Sequence, residues 1–154
     1  MTDSGMASDP PTVRECLALL CKGTIGRVGF VVDQQPRVFP VNYAATDEGR
    51  VVFRTGQHGM LSAIDGGRVA FEIDGYDKVA RSGWCVHVTG VAREVTDAHD
   101  ALGTHLRTLR VEPWAKGPKD RWFAIEPLEI SGRRIDATTW PNEVHGWFAG
   151  VPMS

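Results

Sequence analysis

The segment Phe53-Arg54-Thr55-Gly56-Gln57-His58-Gly59-Met60-Leu61 carries the residue types that an anion site needs. A strand-like run ends in an arginine and a threonine, passes two glycines and enters a helical turn. Free backbone N–H groups at such a turn, beside a guanidinium and a hydroxyl, suit a phosphate. An ordinary strand-to-helix connection with surface charge explains the same residues, and on this segment alone it is the plainer reading. Cys85 and His87 stand two apart on one strand face. That spacing permits a metal or thiol site, but a half-buried pair in a sheet wall is the favoured reading. Asp74 and Asp77 read as solvated loop residues, and His99 and His105 as surface residues of one helix. Cys16 and Cys21 straddle a helix end with no second pair, so zinc-ligand spacing is missing. The chain has no GxSxG, GxxxxGK[ST] or HExxH pattern, so nothing announces hydrolysis or phosphoryl transfer.

The elements that must position these residues are mostly strands. Thr12 and Glu15 form a capping-box pattern ahead of a short helix over about 13–20, ended near Gly23. Runs rich in β-branched and aromatic residues follow at 25–32, 37–44, 50–55, 68–73 and 84–95, with turn residues between them. Pro40 cannot donate to a ladder, so it belongs on an edge or at a bulge. Gly90, in the middle of the fifth strand, suggests the bulge or bend that a closing barrel needs. Residues 74–83 read as a polar loop. Asp97 caps a helix expected over about 98–109, and 113–120 is a loop. A sixth strand spans 121–135, interrupted at Pro127. The expected fold is mainly β: a six-stranded antiparallel split β-barrel of Greek-key type with short flanking helices. Periodicity alone does not separate it from a sandwich.

The 154 residues make one domain of ordinary size, with 42% hydrophobic and 23% charged content. Seventeen Lys and Arg against nineteen Asp and Glu leave a net charge of −2, which points to neither nucleic acid nor an anionic membrane. Three cysteines with no framework fit a reducing cytoplasm, and no segment reads as a signal peptide or membrane span. The expected organisation is a disordered lead over 1–11, a barrel domain over 12–135 and a C-terminal aromatic tail over 136–154. Trp140, Trp147 and Phe148 in that tail are expected to dock on the barrel or a partner.

Several stretches, taken in order, resemble the pyridoxamine 5′-phosphate oxidase-like FMN-binding split barrels, in particular small actinobacterial members. They are Gly26-Arg27-Val28-Gly29-Phe30, Arg37-Val38-Phe39-Pro40-Val41-Asn42-Tyr43, Val51-Val52-Phe53-Arg54-Thr55 and Val69-Ala70-Phe71-Glu72-Ile73-Asp74. Ser82-Gly83-Trp84-Cys85-Val86 with Thr89-Gly90-Val91-Ala92, and Ile125-Glu126-Pro127 with Ser131-Gly132-Arg133-Arg134-Ile135, complete the set. The resemblance implies a homodimer with two FMN sites, each built by both subunits, acting on a small-molecule redox substrate. It implies Pro40, Val41 and Asn42 as ring contacts, Phe53, Arg54 and Thr55 towards the phosphate, Met60 and Leu61 in the turn after them, and Trp84 near the cofactor or partner. Met60 departs from the family's usual lysine and gives a phosphate no ammonium. That departure keeps two alternatives open: a deazaflavin coenzyme in a related reductase, or a non-catalytic dimer that binds a cofactor or nothing. No side chain is singled out as catalytic.

Overall fold

The computed structural model describes residues 9–136. The tail expectation, on Trp140, Trp147 and Phe148, lies outside the described residues. Thr12 caps helix α1 (Val13–Lys22): its Oγ accepts from the Glu15 N–H at 3.2 Å, and the Glu15 carboxylate accepts from the Thr12 N–H at 2.9 Å. The capping box is therefore complete. Six strands follow: β1 (Ile25–Val32), β2 (Gln35–Ala45), β3 (Val51–Thr55), β4 (Arg68–Asp77), β5 (Ser82–Glu94) and β6 (Arg121–Ile135). All neighbouring pairs are antiparallel, and the order β1-β2-β3-β6-β5-β4 closes into a barrel.

Local chemistry explains the corners. Asp33 and Gln34 both take positive φ, at 50° and 62°, so the β1–β2 hairpin turns in two residues with the twist its strands require. Pro36 and Pro40 fall on the part of β2 that pairs with β1 alone, where a missing N–H costs no second ladder. At Gly90 the β5–β6 register shifts, and Leu128 of β6 has no counterpart on β5. A Cβ on Gly90 would overlap the backbone carbonyl of Glu126, so only glycine permits the close crossing. β6 bulges there but runs through Pro127.

Alternation along the strands fills the barrel with Val28, Phe53, Phe71, Val86, Phe123 and Ile125, all at 0% exposure. A second apolar cluster lies outside the sheet, where Val52 and Ala124 meet Val95, Leu106 and Val111 beneath helix α2 (Ala101–Leu106).

Three expectations need correction. Residues 74–83 are not a loop: β4 runs to Asp77 and β5 starts at Ser82, leaving a four-residue turn. Asp74 lies outward between the buried Ile73 and Gly75, and Asp77 holds the turn by accepting from the N–H groups of Val79 and Ala80 at 2.8 and 2.9 Å. Asp74 is accordingly a strand residue in an ion pair with Arg27, not a solvated loop residue. Helix α2 spans 101–106 instead of 98–109, because Asp100, not Asp97, caps it through the Gly103 N–H at 2.9 Å. His99 therefore precedes the helix.

Candidate functional site

β2 and β3 share only three residue pairs, Tyr43 with Phe53, Ala44 with Val52 and Ala45 with Val51. Beyond Tyr43 and Phe53 the strands part, since β2 stays with β1 while β3 stays with β6. The next residues, Asn42 and Arg54, flank the mouth of this gap. Their neighbours Val41, Tyr43, Phe53 and Thr55 are buried in the barrel, so alternation turns Asn42 and Arg54 outward.

The connection between α2 and β6 is fastened across the mouth by these two side chains. Asn42 Oδ1 accepts from the Trp114 N–H at 2.8 Å. Arg54 Nε donates to the Lys119 carbonyl at 2.9 Å, and Arg54 Nη1 reaches the Val111 carbonyl at 3.5 Å. The guanidinium also lies over the Trp122 ring, 4.8 Å from its centroid. Trp114, presented by this loop, is 71% exposed. One polar group in the gap is unsatisfied: Asn42 Nδ2 is buried with no hydrogen-bond partner. Such atoms are rare in folded proteins and cost about 1–3 kcal/mol.

The nine residues expected at a cofactor site therefore separate. Asn42 and Arg54 are brought together at the gap, with Pro40 exposed on the same outer face of β2. Thr55 is buried directly beneath Gly59, where an added Cβ would stand 3.3 Å from its Oγ. Val41, Phe53 and Leu61 give their side chains to the core, so a ligand outside the sheet meets only their backbone. Met60 opens a short 3₁₀ turn (Met60–Ala63) and is 46% exposed. Trp84 lies apart from all of these, on β5. Sequence reasoning passed over the 113–120 loop. Its Trp114-Ala115-Lys116-Gly117 run, an aromatic and a cation in a turn, was the available signal.

Trp84 lines a cleft of about 460 Å³ on the far side of the barrel, with Glu72, Asp74, Cys85, Arg133 and Ile135. Arg27 Nη1 lies 3.1 Å from both Glu72 Oε2 and Asp74 Oδ1, so one guanidinium holds two carboxylates. Burial, and then the neighbouring Asp74 charge, raises the Glu72 carboxyl above its ordinary range. Burial likewise raises the thiols of Cys16, Cys21 and Cys85, so none of the three is held as a thiolate nucleophile. Cys85 and His87 do share the outward face of β5, but no group of three possible ligands forms a metal site among the described residues.

A closed six-stranded barrel of this order, with paired strands parting at one seam, belongs to the split-barrel class. The sequence profile of the pyridoxamine 5′-phosphate oxidase family matches residues 12–134, and the chain belongs to that family. It is 38% identical over 129 residues to the uncharacterized protein Rv0080 of Mycobacterium tuberculosis, covering 80% of this chain and 82% of that one. Among solved structures it is similar to the FAD binding protein from Mycobacterium smegmatis, with 32% identity and a TM-score of 0.68, covering 83% of this chain and 99% of the other. It is also similar to a conserved protein of unknown function, DIP1874, from Corynebacterium diphtheriae, at 28% identity and a TM-score of 0.65, covering 83% and 97%.

Proposed function

We propose that this chain is a flavin-dependent oxidoreductase that works as a cytoplasmic homodimer and binds the flavin nucleotide at the β2–β3 gap. The observation that carries the reading is the unsatisfied Asn42 amide donor beside the outward Arg54. A flavin's pyrimidine edge bears carbonyl acceptors and its ribityl chain ends in phosphate, so the donor and cation suit the two ends of one ligand. The 32% identical FAD binding protein from Mycobacterium smegmatis supports a flavin, as FMN or as FAD.

When bound, the flavin supplies the hydride chemistry. The chain's own residues bind and position it. Asn42 Nδ2 would donate to a carbonyl of the ring while its Oδ1 keeps the Trp114 N–H. Pro40 and the exposed indole of Trp114 give apolar cover that keeps water from the ring. Arg54 holds the loop in place and sets the positive end of the site. Val31 and Val38, 67% and 65% exposed on the outer face of β1 and β2, give a second copy of the chain an apolar surface.

Absorption titrations with FMN, FAD and a deazaflavin test this reading. A shifted flavin spectrum with FMN or FAD is the expected result. Binding of the deazaflavin alone would move the chain to the related reductases, and binding of none would leave a non-catalytic dimer.

A further inference from the structure

The turn after β3 offers a phosphate no charge at Met60, yet the α2–β6 loop brings cations to that turn. A Cβ on Gly56 would stand 3.2 Å from the Pro118 carbonyl, so loop and turn are in contact. The next residue, Lys119, is fastened through its own carbonyl to Arg54 at 2.9 Å. Its ammonium folds back across Gly117, which takes φ +94°, to donate to the Lys116 carbonyl at 3.2 Å.

The cations around this point are in no ion pair, as holds for most Lys and Arg among the described residues; Arg107 likewise donates to two carbonyls. Arg27, Arg50, Arg110, Arg121 and Arg134 each face a carboxylate within 4.0 Å. Arg54 and Lys119 do not: among the described residues, both spend their hydrogen bonds on neutral carbonyls. Of the loop's acids, Glu112 is already paired with Arg110 at 2.8 Å, and Asp120 makes no ion pair. Neither Arg54 nor Lys119 is in an ion pair among the described residues, so none must break for an anion to come in, and the only unpaired acid of the loop is the exposed Asp120. Arg54 flanks the gap with its unsatisfied Asn42 donor, and the Lys119 backbone is joined to Arg54 there.

We infer that Lys119, seated by Arg54, is the phosphate-binding cation of this chain and takes the phosphate of a flavin nucleotide. This rests on the flavin reading above. It assigns the charge to a loop about sixty residues from the turn that the sequence points to. Lys116 in the same loop adds a second, more exposed cation at the rim.

Flavin-fluorescence titrations with FMN and with riboflavin, which lacks the phosphate, separate the possibilities. Lys119→Met keeps the backbone carbonyl that Arg54 needs, so the fold and the loop anchor are retained. The expected result is a loss of FMN affinity of roughly tenfold with riboflavin affinity unchanged, and a weaker salt dependence of FMN binding than in the unmodified protein. Lys119→Gln should behave alike, and adding Met60→Lys to Lys119→Met should recover part of the FMN affinity. Equal FMN affinity in Lys119→Met and the unmodified protein would overturn the inference while leaving the flavin reading intact. A parallel fall in riboflavin binding would also overturn it, since the effect would not then belong to the phosphate. If the unmodified protein binds neither compound, the flavin reading itself fails and the inference falls with it.

Discussion

The two outer faces of this barrel treat charge in opposite ways. On the β4–β5 side, Arg27 sits between Glu72 and Asp74, and the charged groups satisfy one another. On the β2–β3 side, Arg54 and Asn42 spend their hydrogen bonds on the backbone of a crossing loop, and one amide donor is left over. The first arrangement is complete within the chain. The second leaves a donor without an acceptor, which the proposed flavin nucleotide would supply. A cleft of about 460 Å³ lies on the self-satisfied side, yet its charges already satisfy one another, whereas the proposed site has a donor left over. Unmet chemistry is the better guide.

Both faces depend on the same interior, and disrupting it should disturb them together. Phe123→Ala removes a fully buried ring stacked on Phe53, whose centroid lies 5.8 Å away. A loss of about 3–5 kcal/mol in chemical denaturation is expected. Changes on the outer faces should act on one side only. Arg54→Met frees the loop from two carbonyls and removes the contact with Trp122, so about 1–3 kcal/mol should be lost. Amide exchange should quicken across 111–119 and stay unchanged at 72–74. Equal quickening on both sides would break the distinction.

The charged face yields a pH signature. The folded Glu72 carboxyl is raised by burial and by Asp74. A raised acid favours the folded state below its unfolded pKa, and that contribution fades as pH rises through the folded value. Glu72→Gln does not titrate, so the variant's stability relative to the unmodified protein should rise from acid to neutral pH. Denaturation midpoints across that range measure the gain. Glu94 gives the opposite sign and the smallest effect. Its carboxyl is lowered by the Arg121 hydrogen bonds, on half-exposed side chains. Its contribution is present above the ordinary carboxylate range and is lost as pH falls through the lowered value. Glu94→Gln should be slightly less stable at neutral pH and indistinguishable in acid.

The strands were legible because their β-branched and aromatic residues recur between turn signals, and β1 and β6 were placed to the residue. Residues 74–83 misled because Asp74, Asp77 and Lys78 look like loop composition, although the alternation of β4 runs on through Ile73, Asp74 and Gly75. Asp97 misled as a helix cap because a second aspartate, Asp100, follows three residues on and accepts the Gly103 N–H. At the candidate site, the sequence pointed to Asn42 and Arg54 through family resemblance. The Trp114-Ala115-Lys116-Gly117 run marks the loop but not its place, because Trp114 and Lys119 reach β2 and β3 by a path that depends on how the barrel closes. Local pattern carries information on a strand's own face; what crosses that face comes from topology.

Hydrogen exchange with and without FMN tests the central claim most directly. Protection at 42–43, 54–60 and 111–119 is the predicted result, because the β2–β3 gap and its loop would close on the flavin. Protection confined to residues 72–74, 84–86 and 133–135 would contradict the account and assign the ligand to the cleft on the other side.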